Sequence, residues 1–245
     1  MGDGGGDARP GGVEAVLGPG ILTRMLTIER PSPGSAEEFH HRDVPNVGDV
    51  LLWWFEPASP ALVLGSTQSL DIVDTERCRE MGIDVVKRRS GGGAVYVSAR
   101  HTLWADVIVP AGHPRWQHDI GRASEWMGDV WQVALADRHL TVHRGAFVAS
   151  DWSRTICFAG RGPGELFDSS GCKVVGISQR RTRDWVRFQC AVSLVWDPNA
   201  MVEVLRVDGL RSDRIVDAGA TLGEDVDVVG IRTAFEVALK SAISI

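Results

Sequence analysis

The stretch that most constrains the fold is a glycine-rich segment between two apolar runs. The apolar residues 83–86 lead into it with the character of a strand, and Val95 and Val97 leave it as a second strand. Basic side chains, a serine and three successive glycines fill the segment 87–93. Glycine lets a backbone approach a ligand closely, and arginine offers forked donors to a phosphate or carboxylate. The segment predicts a strand–loop–strand unit that holds an anionic ligand; the alternative is a flexible hairpin loop with solvated arginines.

The length and charge of the chain exclude several classes of protein. Its 245 residues suffice for one domain of ordinary size, and an apolar content of 44% allows a substantial core. The formal net charge of −6 argues against a general nucleic-acid-binding protein. No apolar stretch is long enough to span a bilayer, and no signal peptide is recognisable. The spacing of the four cysteines does not match that of metal ligands, so we expect no metal site. We expect the cysteines to be reduced thiols in a cytoplasmic protein.

Apolar periodicity predicts an α+β fold with a mixed or antiparallel sheet. Strands are predicted over residues 21–29, 50–55, 61–64, 102–109, 155–159, 173–179 and 185–195, and helices over 74–81, 119–139 and 226–243. A capping box at 221–224 is expected before the last helix, and residues 180–183 read as a basic hairpin turn. Residues 1–20 are expected to form a disordered leader, and residues 21–245 a single domain.

The scarcity of lysine draws attention to one position. Basic residues are nearly all arginine, and the only lysines are Lys87, Lys173 and Lys240. A chain that avoids lysine this strongly is expected to keep one where an ammonium group is chemically required. The alternative is that the three lysines are present by chance.

Three segments together resemble the superfamily of lipoate-protein ligases, octanoyltransferases and biotin ligases. The segment 88–96, Arg-Arg-Ser-Gly-Gly-Gly-Ala-Val-Tyr, is similar to the acyl-binding loop of lipoate-protein ligases. The segment 171–181, Gly-Cys-Lys-Val-Val-Gly-Ile-Ser-Gln-Arg-Arg, is similar to the lysine strand of the superfamily. Residues 65–68, Gly-Ser-Thr-Gln, stand where those proteins have a Gly-x-x-Gln turn. Their joint order and spacing are more specific than any one segment.

The resemblance implies a catalytic domain of the biotin and lipoate ligase type, with mixed, largely antiparallel sheets flanked by helices. It implies a tunnel for a medium-chain acyl group, a lipoyl or octanoyl donor, and transfer to a lysine of a lipoyl-carrier domain, with acyl carrier protein as a further partner. No nucleic-acid or membrane partner is expected. The residues that it assigns to acyl or adenylate binding are Arg88, Arg89, Ser90, Gly91, Gly92, Gly93, Ala94, Val95, Tyr96, Gly176, Ser178 and Gln179. Val95, Val97, Val174 and Ile177 are candidate tunnel walls, although an ordinary core would bury them as well.

Two residues are candidates for catalysis under this resemblance. The ammonium of Lys173 would stabilise negative charge that develops on the acyl carbonyl oxygen; the alternative is a surface lysine on an edge strand. Cys157-Phe158, with Glu165 downstream, looks like the cysteine-dependent octanoyltransferases. A thiolate at Cys157 would be the nucleophile, favoured by neighbouring cations. The alternative for Cys157 is a small buried apolar residue.

The segments leave three functions open. Acyl transfer through a thioester on Cys157 is the first, because a carrier-bound thioester is already activated. An ATP-dependent lipoate-protein ligase that uses Mg²⁺ and an acyl-adenylate is the second, favoured by the triple glycine. A non-catalytic acyl- or nucleotide-binding module is the third, since the His-Asp pair usual in lipoate ligases is replaced by the segment 97–101, Val-Ser-Ala-Arg-His.

Overall fold

The computed structural model describes residues 26–30, 33–46, 48–223 and 225–244. The leader predicted over residues 1–20 lies outside these ranges. The strands are β1 Leu26–Glu29, β2 Val50–Phe55, β3 Ala61–Leu64, β4 Asp84–Lys87, β5 Val95–Val97, β6 Thr102–Pro110, β7 Thr141–Val142, β8 Leu166–Phe167, β9 Lys173–Arg181 and β10 Trp185–Ser193. The helices are α1 Ala36–His41, α2 Thr75–Glu80, α3 Ile120–Ala134, α4 Pro198–Val202, α5 Ser212–Ile215 and α6 Val228–Ile243.

The strands of the described residues form two sheets, one of seven strands and one of three. The large sheet has the order β1-β2-β6-β10-β9-β8-β7, and the small sheet has the order β4-β3-β5. Parallel pairing occurs between β1 and β2 and between β3 and β4, and the other pairs are antiparallel. The fold is therefore α+β with mixed, largely antiparallel sheets, which confirms the prediction from apolar periodicity.

Alternation along β2 and β6 produces two separate cores, because successive side chains of a strand point to opposite faces. Trp54 and the β6 residues Leu103 and Val107 pack with α3 and α6 on one face of the large sheet. Trp53 and Trp104 pack on the other face, against the small sheet and α1. Trp53 and Trp54 therefore face opposite sides of the large sheet. The second core is the one that borders the candidate site.

The two long helices cover the outer face of the large sheet. The ring of Trp131 in α3 stacks on Phe235 in α6 with centroids 3.9 Å apart. Asp227 caps α6 by accepting a hydrogen bond from the Gly230 N–H at 2.8 Å, so the cap lies after the predicted box, part of which falls outside the described residues. None of the described helices has the length and apolar character needed to cross a membrane.

Two local predictions differ from the structure. Residues 155–159 do not form a strand; a 3₁₀ turn spans Cys157–Ala159, and a single bridge joins Ile156 to Ala94. The bounds predicted for the basic hairpin turn, 180–183, are shifted, because β9 pairs with β10 as far as Arg181 and the turn lies at residues 182–184. In the actual turn the Thr182 hydroxyl accepts hydrogen bonds from the next loop residues. In both places non-local pairing decides the backbone conformation.

A buried ion pair ties α1 to the large sheet. The Nε of Arg187 on β10 lies 2.5 Å from an Asp106 carboxylate oxygen on β6, and both side chains are essentially inaccessible. Arg187 also donates to the backbone oxygens of Phe39 and Arg42 at the end of α1. Burial raises the pKa of Asp106, while Arg187, followed by Trp104, acts in the opposite direction. The pair is thus a buried ion pair that connects α1 to the large sheet inside an apolar core.

Replacing Arg187 by Met should destabilise the protein by about 3–5 kcal/mol, because the Asp106 carboxylate would remain buried without its partner. Urea unfolding of the wild type and the variant measures this difference. The double variant Arg187→Met/Asp106→Leu should recover a large part of the loss. A single variant as stable as the wild type would contradict this role for the pair.

Candidate active site

Arg88 organises the glycine loop from inside. Its guanidinium is buried between the two sheets and donates to the backbone oxygens of Val63, Gly91 and Gly93 at 3.3, 2.8 and 2.9 Å. Burial lowers the pKa of Arg88, and the sulfur of Cys157 acts against that shift. The side chain of Arg89, in contrast, is exposed. The two arginines that the sequence placed together therefore have different roles, and Arg88 holds the loop that was expected to hold the ligand.

Two glycines are required by the path of this loop. A Cβ on Gly93 would lie 2.6 Å from the backbone of Ile156. Gly92 has a φ of +102°, where side chains are disfavoured, and a Cβ there would lie 2.9 Å from the Arg88 guanidinium. Gly91 has open space around it. The loop thus touches the segment that carries Cys157 through bare backbone.

Lys173 is buried, with a side-chain exposure of 1%. Its ammonium lies 2.7 Å from a carboxylate oxygen of Glu165 and donates to the backbone oxygen of Cys157 at 2.8 Å. Glu165 also accepts from the N–H of Gly162 at 2.6 Å. The alternative of a surface lysine is wrong, because these contacts and the burial fix the ammonium inside the protein.

Cys157 lies at the start of the 3₁₀ turn and is half-buried. Its N–H donates to the oxygen of Ala94 at 3.0 Å, next to the glycine loop. Burial raises the pKa of the thiols of Cys78, Cys172 and Cys190, and for Cys172 the carboxylate of Asp168 adds to the effect. Those three thiols are therefore held in the protonated, less nucleophilic form.

Cys157 borders two spaces that share part of their lining. A narrow, mostly apolar cavity of about 50 Å³ lies between the sheets, with Arg88, Cys157 and Ile177 among its walls. A wider mouth of about 280 Å³ is lined by the three loop glycines together with Cys157, Glu165 and Lys173. The thiol is thus placed between a space shaped for an apolar group and one that contains the buried ammonium.

Most of the residues expected to bind an acyl group or adenylate meet around these spaces. The Ser90 and Ser178 hydroxyls lie 3.2 Å apart and join the loop to β9. The Gln179 amide lines the mouth and donates to the backbone oxygen of Ile120 at 2.8 Å. The residues among them that line the cavity or the mouth are Arg88, Gly91, Gly92, Gly93, Val95, Gly176, Ser178 and Gln179.

Besides the exposed Arg89, three of the named residues lie elsewhere. Ala94 and Tyr96 pack in a further hydrophobic cluster, separate from the two cores described above. The Tyr96 ring lies 5.2 Å from that of His101. Val97 and Ile177 line the cavity as expected, but Val174 does not; it packs among the helix-side residues, where the register of β9 against β8 is irregular.

Three site residues were missed by sequence reasoning. Glu165 was noted only as part of a resemblance, although it is the partner of Lys173. Gln189 accepts from the Ser90 hydroxyl and contacts the His40 ring nitrogen at 3.0 Å. Burial, then Arg88, lowers the pKa of His40 well below its usual range, so this ring is neutral. No motif marks these residues, because their partners lie far away in the chain. Within the described ranges, no cluster of side chains has the makeup of a metal site.

Residues 35–229 match the family model of the lipoyl protein ligase A/B catalytic domain. The chain belongs to this family. The resemblance noted in the sequence is thereby confirmed over most of its length. A comparison with curated protein sequences finds no match.

Solved structures of the same fold include several lipoate-protein ligases. One is part of the bipartite lipoate protein ligase of Thermoplasma acidophilum, studied with its E2 lipoyl domain; it is 17% identical, with a TM-score of 0.69 over 89% of this chain and 83% of that one. A lipoate-protein ligase A bound with ATP is 16% identical, with a TM-score of 0.67 over 90% and 85%. LipL1 of P. falciparum, in complex with lipoate, is 10% identical, with a TM-score of 0.61 over 89% and 62%. At these identities the likeness establishes the fold.

Gly93→Ala should disrupt the site, because its Cβ would push the loop away from Ile156 and displace Cys157. We expect acyl-ligand binding to fall about 10-fold or more, the scale of a misplaced positioning group, as measured by calorimetry. Gly91→Ala is the matched control, since its added methyl group enters open space. Equal binding by the two variants would show that the close approach of the loop does not matter.

Proposed function

We propose that the protein places an octanoyl or lipoyl group on a specific lysine of a lipoyl-carrier domain, by transfer through a thioester on Cys157. The observation that supports this most is the position of Cys157, which lines both the apolar cavity and the mouth that contains Lys173. Membership of the lipoyl protein ligase A/B family supports the same class of enzyme. The studied pairing of a relative with its E2 lipoyl domain supports the choice of acceptor. The free cysteines suit the reducing cytoplasm.

In the first step, the Cys157 thiolate attacks the carbonyl carbon of an acyl thioester on a carrier such as acyl carrier protein. A new carbon–sulfur bond forms to Cys157, the old one breaks, and the carrier leaves as a thiolate. Lys173 stabilises the oxygen that becomes negative during the attack. An ammonium has three N–H donors; Glu165 and the Cys157 carbonyl take two, and we assign the third to the acyl oxygen.

In the second step, the neutral amine of the carrier-domain lysine attacks the same carbonyl carbon. A carbon–nitrogen bond forms, the bond to Cys157 breaks, and the sulfur leaves as a thiolate while the amine proton passes to solvent. The Arg88 guanidinium, which lies on the same side of Gly92 as this sulfur, stabilises the departing charge. Thioester exchange followed by amide formation needs no nucleotide.

An ATP-dependent ligase is the second candidate. The triple glycine and the mouth of about 280 Å³ beside it favour this reading, because they offer bare backbone and room for an adenylate. The ATP-bound ligase of the same fold supports it. In that case Mg²⁺ would accompany the nucleotide, and Cys157 would serve only as a wall of the cavity.

Incubation with octanoyl-acyl carrier protein should add one octanoyl mass to the protein, because Cys157 accepts the acyl group. Intact-mass spectrometry should show an adduct that hydroxylamine removes and that Cys157→Ala lacks. Cys78→Ala is the control, since this thiol is buried and lines neither the cavity nor the mouth.

The ligase reading makes the opposite prediction for the same variant. If Cys157→Ala modifies the carrier lysine when supplied with lipoate, ATP and Mg²⁺, the transferase proposal fails and the ligase takes its place. If the wild-type protein modifies the carrier under neither condition, the site belongs to a binding module.

Lys173→Met should lower the rate of acyl transfer about 100-fold or more, as expected for loss of a group that stabilises a developing oxyanion. Lys173→Arg should not restore it, because a planar guanidinium does not replace a compact ammonium. Lys240→Met on the exposed face of α6 is the control. Rates are measured as modified carrier domain per unit time.

A stability measurement separates the catalytic role of Lys173 from its structural one. Lys173→Met leaves the Glu165 carboxylate buried without its cationic partner, so the unfolding free energy should drop by about 3–5 kcal/mol. The double variant Lys173→Met/Glu165→Gln should regain stability yet remain inactive. Recovery of activity in the double variant would refute the assignment of Lys173 to the reaction.

A further inference from the structure

One row of residues across the large sheet forms the floor of the narrow cavity. Gly176 on β9 pairs with Ala191 on β10, and Ala191 pairs with Trp104 on β6. All three line the cavity. Along this row the side chain grows from a hydrogen atom to a methyl group and then to an indole, so free space is present at the β9 end and absent at β6.

The opening of the cavity lies at the β9 end of this row. Cys157 borders both the cavity and the mouth, whereas Trp104 borders the cavity alone. Phe158, the neighbour of Cys157, approaches Gly176. Neighbouring strands are about 4.8 Å apart, so the floor from β9 to β6 extends over roughly 10 Å. That length suits an extended acyl chain of medium length and is too short for a long fatty acyl chain.

Trp104 is held rigidly at the inner end. Its indole N–H donates to an Asp106 carboxylate oxygen at 2.7 Å. Its ring meets the edges of Phe39 and Phe55 and lies 4.5 Å from the His40 ring. Asp106 is itself fixed by the ion pair with Arg187. A ligand therefore meets a wall that does not rotate away.

The sides of the cavity are equally confined. The β-branched residues Val63, Val95 and Val97 of the small sheet face the row from above, and such side chains have few rotamers. Walls of this kind suit an unbranched chain better than one that ends in a ring.

We propose that Trp104 is the residue that determines acyl-chain specificity, by limiting the substrate to an unbranched acyl group of medium length. This inference rests on the proposed acyl-transfer function. Removing the indole opens the row toward Phe55 on β2, the next residue along it, and so lengthens the cavity by about one strand spacing, ~5 Å.

The test measures which chain length the protein prefers. Butanoyl, octanoyl, dodecanoyl, palmitoyl and lipoyl thioesters of pantetheine are offered in turn, and the initial rate of acylation of Cys157 is followed by intact-mass spectrometry. The wild type should prefer octanoyl over dodecanoyl and lipoyl by about 10-fold or more, the usual scale for a mismatched apolar pocket. Trp104→Ala should reverse the preference between octanoyl and dodecanoyl.

Two further variants keep the test decisive. Ala191→Val narrows the cavity from its floor and should shift the preference toward butanoyl. Trp53→Ala is the matched control, because Trp53 packs in the same core without lining the cavity, and its chain-length profile should equal that of the wild type. Unchanged profiles in both Trp104→Ala and Ala191→Val would overturn the inference.

Binding of the free fatty acids separates this inference from the proposed function. Calorimetry with octanoate and dodecanoate reports chain-length preference without any transfer. If Cys157 is never acylated but Trp104→Ala still shifts binding toward dodecanoate, the transfer proposal fails and the role of Trp104 stands. If neither acylation nor binding depends on Trp104, the role of Trp104 is refuted.

Discussion

The interaction on which the site depends is the set of hydrogen bonds made by the buried guanidinium of Arg88. A buried cation is costly unless it is hydrogen-bonded, and the backbone oxygens that accept from the two terminal nitrogens of Arg88 belong to β3 and to both ends of the triple glycine. The same side chain contacts the sulfur of Cys157. One residue therefore joins the small sheet, the loop and the candidate nucleophile, which explains how a segment without side chains keeps a defined path.

Two buried ion pairs extend this arrangement in opposite directions. Lys173 and Glu165 place a fixed positive charge at the mouth, where the acyl carbonyl would react. Arg187 and Asp106 stabilise the inner end, where Trp104 closes the cavity. Charges that are already desolvated and oriented need little reorganisation when new charge appears beside them. The apolar cavity between the pairs is thus a rigid space with a reactive end and a closed end.

The accuracy of prediction from the sequence varies with how local each feature is. The strands β2, β3 and β6 and the β9–β10 hairpin follow from alternation of apolar residues, and the family followed from the segments around Arg88 and Lys173. Residues 155–159 have the composition of a strand, yet the only bridge there is the one between Ile156 and Ala94, and a 3₁₀ turn follows. The resemblance also placed Val174 in the tunnel wall, whereas this side chain packs in the helix-side core.

The sequence by itself determined the glycine loop, the lysine strand and the candidate pair Cys157 and Lys173, because glycine, cysteine and lysine carry their conformational and chemical properties wherever they occur. Only the tertiary structure decided that Arg88 turns inward, that Glu165 is the partner of Lys173 and that Trp104 closes the cavity. Those contacts arise from the pairing of strands distant in the chain and from packing between two sheets. Desolvation then makes each of them energetically important, and neither register nor desolvation is encoded in any short segment.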